Sequence, residues 1–276
     1  MSTSRVALVT GAGRGLGRVM ALALLKSGVR VALTSTDAAS LRETIRASGA
    51  PERQAVAIPC DLTKDGECER LIRSAEEAFG QIDMLVNNAG ISTDAIRPDY
   101  LANPFRFWEV APAILDRFFL INSTAPYVLA SLVARGMVER GWGRIVNNTT
   151  SLDTMLRVPA YGGSKAALEA HTAVMANDLA GTGVTANVLV PGGAAVSRMT
   201  MSLGVPEAQL IPAEVMAAPI VWLASDRSNG VTGRRIIARK WDVSLPPDEA
   251  ARLASDPVAW TGYGTQGVQP TVTARK

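Results

Sequence analysis

Val6-Ala7-Leu8-Val9-Thr10-Gly11-Ala12-Gly13-Arg14-Gly15-Leu16-Gly17 sets the architecture of the whole chain. The apolar run Val6–Val9 reads as a strand covered on both faces. Glycines at 11, 15 and 17 then permit a tight turn, close backbone approach to a ligand, and close packing of the next element on the sheet. That next element, Leu16–Ser27, carries a helical period, so the turn joins a strand to a helix N-terminus. Such a terminus offers free N–H groups and the positive end of a dipole, which suits a phosphate. Gly11, Gly13, Arg14, Gly15, Leu16 and Gly17 are therefore candidate contacts to the pyrophosphate of a dinucleotide.

Outward from this turn, short apolar runs recur at Val29–Leu33, Ala55–Pro59, Met84–Val86, Arg144–Asn147, Thr185–Leu189 and Arg235–Ile237. Helical periods fill the gaps at Ala38–Ala47, Lys64–Phe79, Ala113–Glu139, Tyr161–Ala180 and Ala213–Ser225. Gly28, Gly80 and Gly181 each follow a helical run, where a left-handed cap is expected. The alternation predicts a single α/β domain over residues 1–276. It is a Rossmann-type doubly wound parallel sheet of about seven strands, with helices on both faces and right-handed crossovers. Two stretches break the pattern. Residues 93–112, with Pro98, Tyr100, Pro104, Phe105, Phe107 and Trp108, read as an aromatic substrate loop. Residues 241–276 read as a C-terminal tail after the last strand.

With 276 residues, 47% apolar and 19% charged, the chain can bury one full core and is neither disordered nor fibrous. A net charge of +3 with no dense basic block gives no nucleic-acid footprint. Cys60, Cys68 and the single His171 make neither a zinc site nor a disulfide scaffold, so no metal is expected. One histidine and no Gly-x-Ser-x-Gly elbow also argue against a hydrolase. The opening Met1-Ser2-Thr3-Ser4-Arg5 leaves no room for a signal peptide, and no apolar stretch of about 18 residues stands out. The expectation is a soluble, cytoplasmic protein that does not enter a membrane.

Five motifs, in order over roughly residues 5–240, resemble the short-chain dehydrogenase/reductase family. They are the Thr10–Gly17 turn with its Thr-Gly-x-x-x-Gly-x-Gly spacing, Asp61-Leu62, Asn87-Asn88-Ala89-Gly90, Tyr161-Gly162-Gly163-Ser164-Lys165 and Pro191-Gly192. The resemblance implies that Asn88, Ala89 and Gly90 support the sheet and the adenosine end of the cofactor. It places Asp61 and Leu62 near the adenine, and Pro191 and Gly192 against the nicotinamide. It also implies a homodimer or homotetramer, formed through the helices Ala113–Glu139 and Tyr161–Ala180.

The chemistry centres on Tyr161 and Lys165. A tyrosine is a poor acid or base near neutrality, with a reference pKa of about 10. Catalysis calls for lowering it by about 2–3 units, roughly 3–4 kcal/mol in favour of the phenolate. Lys165, one turn on along the same helix face, is the candidate cation. By resemblance it also hydrogen-bonds the nicotinamide ribose. Relatives place a serine about 13 residues before the tyrosine, and here this sequence departs. That count lands on Asn148, whereas alignment on the strand ending at Asn147 puts the hydroxyl on Thr150, with Ser151 beside it. Both stay candidates, since either side chain can donate and accept. Asn122 matches the family asparagine that connects the lysine to a proton-relay water; the alternative is a local bend or a backbone hydrogen bond.

The second strand ends in Ser35-Thr36 rather than in an acid. Small hydroxyl residues, with Arg14 close by, favour the 2′-phosphate of NADP(H), with NAD(H) possible. Asp37 reads as a helix N-cap. The aromatic loop and Ser197, Met199 and Met201 are expected to wall the cleft, for a small-molecule ketone or secondary alcohol. Phe107 and Trp108 could instead pack their loop down, and Trp241 and Trp260 could cover the cleft or join a subunit interface. The sequence thus reads as an NAD(P)(H)-dependent oxidoreductase, specifically a carbonyl reductase using NADPH. The alternative is a non-enzymatic NAD(P)-binding sensor.

Overall fold

A computed structural model describes residues 4–100, 103–196, 200 and 205–260. Strand β1 (Val6–Thr10) leads into helix α1 (Gly15–Lys26), then β2 (Arg30–Thr34), α2 (Ala38–Ser48), β3 (Ala55–Ala57), α3 (Glu67–Phe79) and β4 (Met84–Asn87). Helix α4 (Pro112–Phe119) continues through a π-helical turn, Leu120–Thr124, into α5 (Ala125–Glu139). There follow β5 (Gly143–Asn147), α6 (Leu152–Arg157), α7 (Tyr161–Asp178), β6 (Val184–Val190), α8 (Ala217–Leu223), β7 (Arg234–Ile237), α9 (Pro247–Leu253) and β8 (Ser255–Pro257).

The strands form one sheet in the order β3-β2-β1-β4-β5-β6-β7-β8. Every pairing is parallel except β7 with β8. Successive side chains on a strand face opposite ways, and that alternation splits the core into two layers. Ala7, Val9, Val31, Leu33 and Val86 meet Met20, Leu24 and Leu25 of α1, Leu41 of α2 and Ile220 and Leu223 of α8. Leu8, Ala32, Leu85, Ile145 and Ala186 face Leu71 and Ile72 of α3, Leu129 and Val133 of α5 and Met175 of α7. The strand order reverses between β1 and β4, so the connections leave in opposite directions. A crevice opens there beyond Thr10 and Asn87.

The seven expected strands are present and parallel, and the sheet gains an eighth. The eighth lies in the tail and is antiparallel, with Arg235 opposite Asp256. Ser255-Asp256-Pro257 carries no apolar period, and a short polar strand containing proline is suited only to an edge. The helix predicted over Ala113–Glu139 is opened by the π-turn. Helix α6 was not foreseen; it is six residues long and capped by Ser151. The continuous rod Pro112–Glu139 is, by length and a mean hydropathy of 1.2 over its best window, apolar enough to cross a membrane. The sequence count missed it because Asp116, Arg117 and Asn122 interrupt the apolar run. Half of that window is buried within the fold.

Candidate active site

At the end of β1, Gly11 turns the chain with φ +66° and Gly15 opens α1 with φ +53°. Arg14 stands at the N-cap of α1 and provides no side-chain acceptor, so the first-turn N–H groups remain available to an anion. Asn88 backs the turn. Its Nδ2 donates to the carbonyls of Thr10 (3.0 Å) and Gly11 (3.3 Å). Thr10 Oγ1 accepts from the N–H groups of Asn88 and Ala89, at 2.9 and 3.0 Å. A Cβ on Gly17 would lie 2.2 Å from the Gly11 carbonyl oxygen and 2.4 Å from Asn88 Nδ2, so helix and turn can approach only through a glycine.

A cleft of about 660 Å³ runs from this turn across the sheet ends. Of the candidate cofactor contacts, Gly11, Arg14, Gly15, Leu16, Ser35, Thr36, Asp61, Leu62, Asn88, Ala89, Gly90, Tyr161, Lys165 and Pro191 line it. Gly13, Gly17 and Gly192 are not among its lining residues. A Cβ on Gly13 would come 2.1 Å from Ser40 Oγ, and one on Gly192 would come 2.4 Å from Arg239 Cγ. The absent side chains at these three positions let neighbouring elements close behind the wall.

At the adenosine end, Asp61 turns back on Thr63, accepting from its N–H and hydroxyl at 3.1 and 2.7 Å, and these bonds hold its carboxyl low. Asp37 caps α2, accepting from Ala39 N–H (2.9 Å) and Ser40 N–H (3.2 Å). Its carboxylate is committed to the helix and is absent from the cleft wall, where Ser35, Thr36 and Arg14 stand. The Cys60 thiol also reaches this wall, but burial pushes it up to about 12, so it is inert near neutrality.

The opposite end holds the titratable pair. Helix α7 starts at Tyr161 behind a tight γ-turn, in which Tyr161 N–H donates to Pro159 carbonyl (2.7 Å) across Ala160 at φ +60°. That conformation is strained for an alanine, by about 1–3 kcal/mol. The Tyr161 phenol is buried, and burial pushes it up to about 12; a hydrogen bond with the Thr150 hydroxyl pulls it down, and the Asp94 carboxylate pushes it up. Lys165 is buried and is driven down to about 8 by desolvation. Its ammonium donates to the Asn148 carbonyl at 2.9 Å. The lowering expected from the helical spacing is outweighed here by burial of the phenolate, and the Lys165 ammonium is turned toward a carbonyl.

The structure separates the two hydroxyl candidates. Thr150 faces the phenol, whereas Ser151 Oγ accepts the Thr154 N–H (3.1 Å) and pairs with Thr154 Oγ1 (2.8 Å) as the cap of α6. Asn122 sits on the π-turn. Its Oδ1 accepts Ile91 N–H (2.9 Å), and its Nδ2 donates to Ile91 carbonyl and Ser164 Oγ (both 3.0 Å). The side chain therefore tethers the segment after β4 to α7. A Cβ on Gly90 would fall 2.8 Å from Asn122 Oδ1 and 3.4 Å from Lys165 Nζ, so Gly90, Asn122 and Lys165 converge on one spot.

Sequence reasoning counted to Asn148 but gave it no role, and in the structure it links the two ends. Its Nδ2 donates to Asn88 Oδ1 (2.9 Å) while its carbonyl takes the Lys165 ammonium. Its position directly after β5 was the available signal. In the aromatic loop, Phe105 is buried and stacks with Tyr100 at 4.9 Å, but Phe107 and Trp108 are 74% and 70% exposed. They do not pack the loop down; they wall a second groove with Met155, Leu156 and Val158, which meets the main cleft at Tyr100 and Val158. Trp241 packs on Trp222 at 5.7 Å, and neither it nor Trp260 lines the cleft. Ser197, Met199 and Met201 lie outside the described residues. Among the described residues no cluster of three or more His, Cys, Asp or Glu side chains could hold a metal.

The family model for short chain dehydrogenases matches residues 5–207. The chain belongs to the short-chain dehydrogenase/reductase family. It is an oxidoreductase of that family. A short-chain type dehydrogenase/reductase of Picea abies is 32% identical over 249 residues, covering 83% of this chain and 89% of the relative. A 3-oxoacyl-[acyl-carrier-protein] reductase of Synechocystis sp. (strain ATCC 27184 / PCC 6803 / Kazusa) is 35% identical over 238 residues, 81% of this chain and 90% of the relative. Among solved structures, a metagenomic short-chain oxidoreductase in complex with NADP superposes with a TM-score of 0.68 at 28% identity, covering 83% of this chain and 95% of that one. Family membership extends the motif reading over most of the chain, and the NAD(P) cofactor of the family fits what is present here. The glycine cradle closes tightly on the turn, and two buried oxygens on the cleft wall, Thr34 Oγ1 and Asn148 Oδ1, have no protein partner.

Proposed function

We propose that this chain is a carbonyl reductase that interconverts a ketone and a secondary alcohol with NADP(H) as its preferred cofactor. The observation that carries the reading is the convergence of the Tyr161 phenol, the Thr150 hydroxyl and the Lys165 ammonium in the cleft that begins at the phosphate-binding turn. Gly11, Arg14, Gly15 and Leu16 would hold the pyrophosphate, with Asp61 and Leu62 at the adenine. Asn88, Ala89 and Gly90 would back the adenosine end, and Lys165 and Pro191 would hold the nicotinamide half. Bound in reduced form, the nicotinamide would supply the hydride.

The protein supplies the proton and its placement. With its phenol at about 12, Tyr161 is protonated at neutral pH, the state that carbonyl reduction requires. It donates that proton to the substrate oxygen as the carbonyl becomes an alkoxide. Thr150 donates to the same oxygen and holds it in line. Lys165, buried beside the Asn122 tether, keeps a positive charge near the developing phenolate once the proton has left. In the oxidation direction Tyr161 must first be a phenolate, so burial biases the site toward reduction near neutrality.

Preference for NADP(H) is supported by the wall of Ser35, Thr36 and Arg14, from which Asp37 has withdrawn into its helix cap. The second groove, walled by Phe107, Trp108 and Leu156, supports a substrate with an apolar body extending past Tyr100. Exposed apolar side chains on α4, α5 and α7 (Leu115, Tyr127, Leu132 and Val174) support self-association through these helices into a homodimer or homotetramer. A panel of ketones and alcohols, assayed separately with NADPH and NADH at the absorbance of the reduced nicotinamide, tests the assignment. NADPH-driven reduction of hydrophobic ketones is expected; no turnover on any of them would overturn it.

A further inference from the structure

A buried ion pair lies behind the catalytic hydroxyl and is used by none of the steps above. Glu169 is one turn beyond Lys165 and two beyond Tyr161 on α7, and its side chain is wholly buried. Arg235 reaches it from β7, with its own side chain 6% exposed and Nη1 donating to Glu169 Oε2 at 2.6 Å. Thr149 Oγ1 donates to the same carboxylate oxygen at 2.8 Å. The second arm of the Arg235 fork donates to the Thr150 carbonyl. Glu169 Oε1 accepts the N–H of Ala259, just past β8, at 3.3 Å. One carboxylate thus gathers the loop after β5, helix α7, strand β7 and the segment after β8.

Burying two charges is a poor route to stability, because desolvation consumes most of their attraction. The arrangement has a geometric consequence instead. Between β5 and α6 the chain has no regular structure, yet Thr150 must hold its hydroxyl against the phenol. Its carbonyl is clamped by Arg235, the preceding hydroxyl by Glu169, and the following side chain by the α6 cap. Of the three hydroxyls in a row, at Thr149, Thr150 and Ser151, that of Thr150 is the one not engaged by this clamp or by the cap. A planar guanidinium fork can serve two acceptors at fixed spacing, which a lysine cannot.

We infer that Arg235 and Glu169 are positioning residues of the active site, which hold the Thr149–Thr150 peptide so that the Thr150 hydroxyl meets the Tyr161 phenol and the substrate oxygen. The inference rests on the reading of Thr150 as the catalytic hydroxyl, and the test separates the two. Arg235→Gln, Arg235→Lys, Glu169→Gln, Thr150→Val and Arg235→Gln/Thr150→Val are assayed with NADPH and 1-tetralone or ethyl acetoacetate, whichever the parent enzyme turns over faster. Arg235→Gln and Arg235→Lys are expected to lower kcat about tenfold to a hundredfold. The dissociation constant for NADPH should stay within about threefold of the parent. The double variant should be no slower than Thr150→Val alone, because both changes remove one interaction. Losses that multiply in the double variant, or Arg235 variants with parental kcat, would overturn the positioning role while leaving Thr150 in place. Full turnover by Thr150→Val would instead overturn the underlying assignment and this inference with it. Should Arg235→Gln not fold, Arg235→Met/Glu169→Leu removes both charges while filling the core. A folded double variant with parental kcat would refute the inference, and one that binds NADPH with kcat reduced about tenfold or more would support it.

Discussion

Thr150→Val and Ser151→Ala together ask which hydroxyl does chemistry. Valine keeps the shape and branching of threonine and replaces the hydroxyl, which shares the cleft wall with the buried Tyr161 phenol and pulls its acidity down from the value burial alone would set. A hydrogen bond to a group that becomes charged contributes about 1.5–3 kcal/mol, and each ~1.4 kcal/mol is tenfold in rate. Thr150→Val should therefore lower kcat/KM about 10- to 150-fold with little change in fold stability. Ser151 does something else: its Oγ accepts the Thr154 N–H at 3.1 Å and starts α6. Losing such a cap costs about 1 kcal/mol. For a chain of this size that is a fall of roughly 2–4 °C in melting temperature, with kcat close to parental. Steady-state reduction of the best ketone with NADPH and thermal melts by circular dichroism read the two effects independently. The reasoning fails if Ser151→Ala loses more turnover than Thr150→Val.

Arg14→Ala should weaken NADPH by about tenfold or more while leaving NADH nearly unchanged, since the pyrophosphate of both meets backbone N–H groups of the turn, Arg14 included, and only a 2′-phosphate needs the guanidinium; equal losses in titrations with both cofactors would contradict that role. Gly17→Ala forces a methyl to within 2.2 Å of the Gly11 carbonyl oxygen, a backbone atom that cannot swing away. Overpacking of about 1–3 kcal/mol and a tenfold or greater loss of NADPH affinity should follow, measured by urea unfolding and fluorescence titration. Lys165 is held down to about 8 from its ordinary 10.5 by burial, so between those values the folded chain binds fewer protons than the unfolded one. Its penalty, on the order of 3 kcal/mol below pH 8, is relieved as pH rises toward 10.5. Without cofactor, Lys165→Met should exceed the parent in stability at pH 7 by about that amount, and the margin should shrink to about half by pH 9.5. A margin independent of pH would show that Lys165 titrates normally.

The seven parallel strands, the glycine turn and the spacing of Tyr161 and Lys165 were legible because each obeys a local rule: an apolar run, a turn needing positive φ, two side chains one turn apart. Strand β8 was not, because Ser255-Asp256-Pro257 pairs only with a neighbour already in place and has no pattern of its own. The choice between Thr150 and Ser151 depended on where α6 begins, and α6 is too short to declare a period. Arg235 and Glu169 are 66 residues apart. Their meeting is a product of topology, since α7 and β7 come together only once β6 has been laid between β5 and β7. The acidity of Tyr161 was read from its lysine neighbour, whereas burial, which sequence spacing does not report, dominates it.

The most direct test is Tyr161→Phe, which deletes one oxygen from the cleft. The account predicts a fall in kcat of about 10²- to 10⁴-fold for ketone reduction, the usual worth of a positioned acid. NADPH should still bind within about threefold of the parental dissociation constant. Turnover retained by Tyr161→Phe would contradict the central claim. So would a parent chain that binds NADPH yet reduces no ketone, which is the behaviour of a dinucleotide sensor.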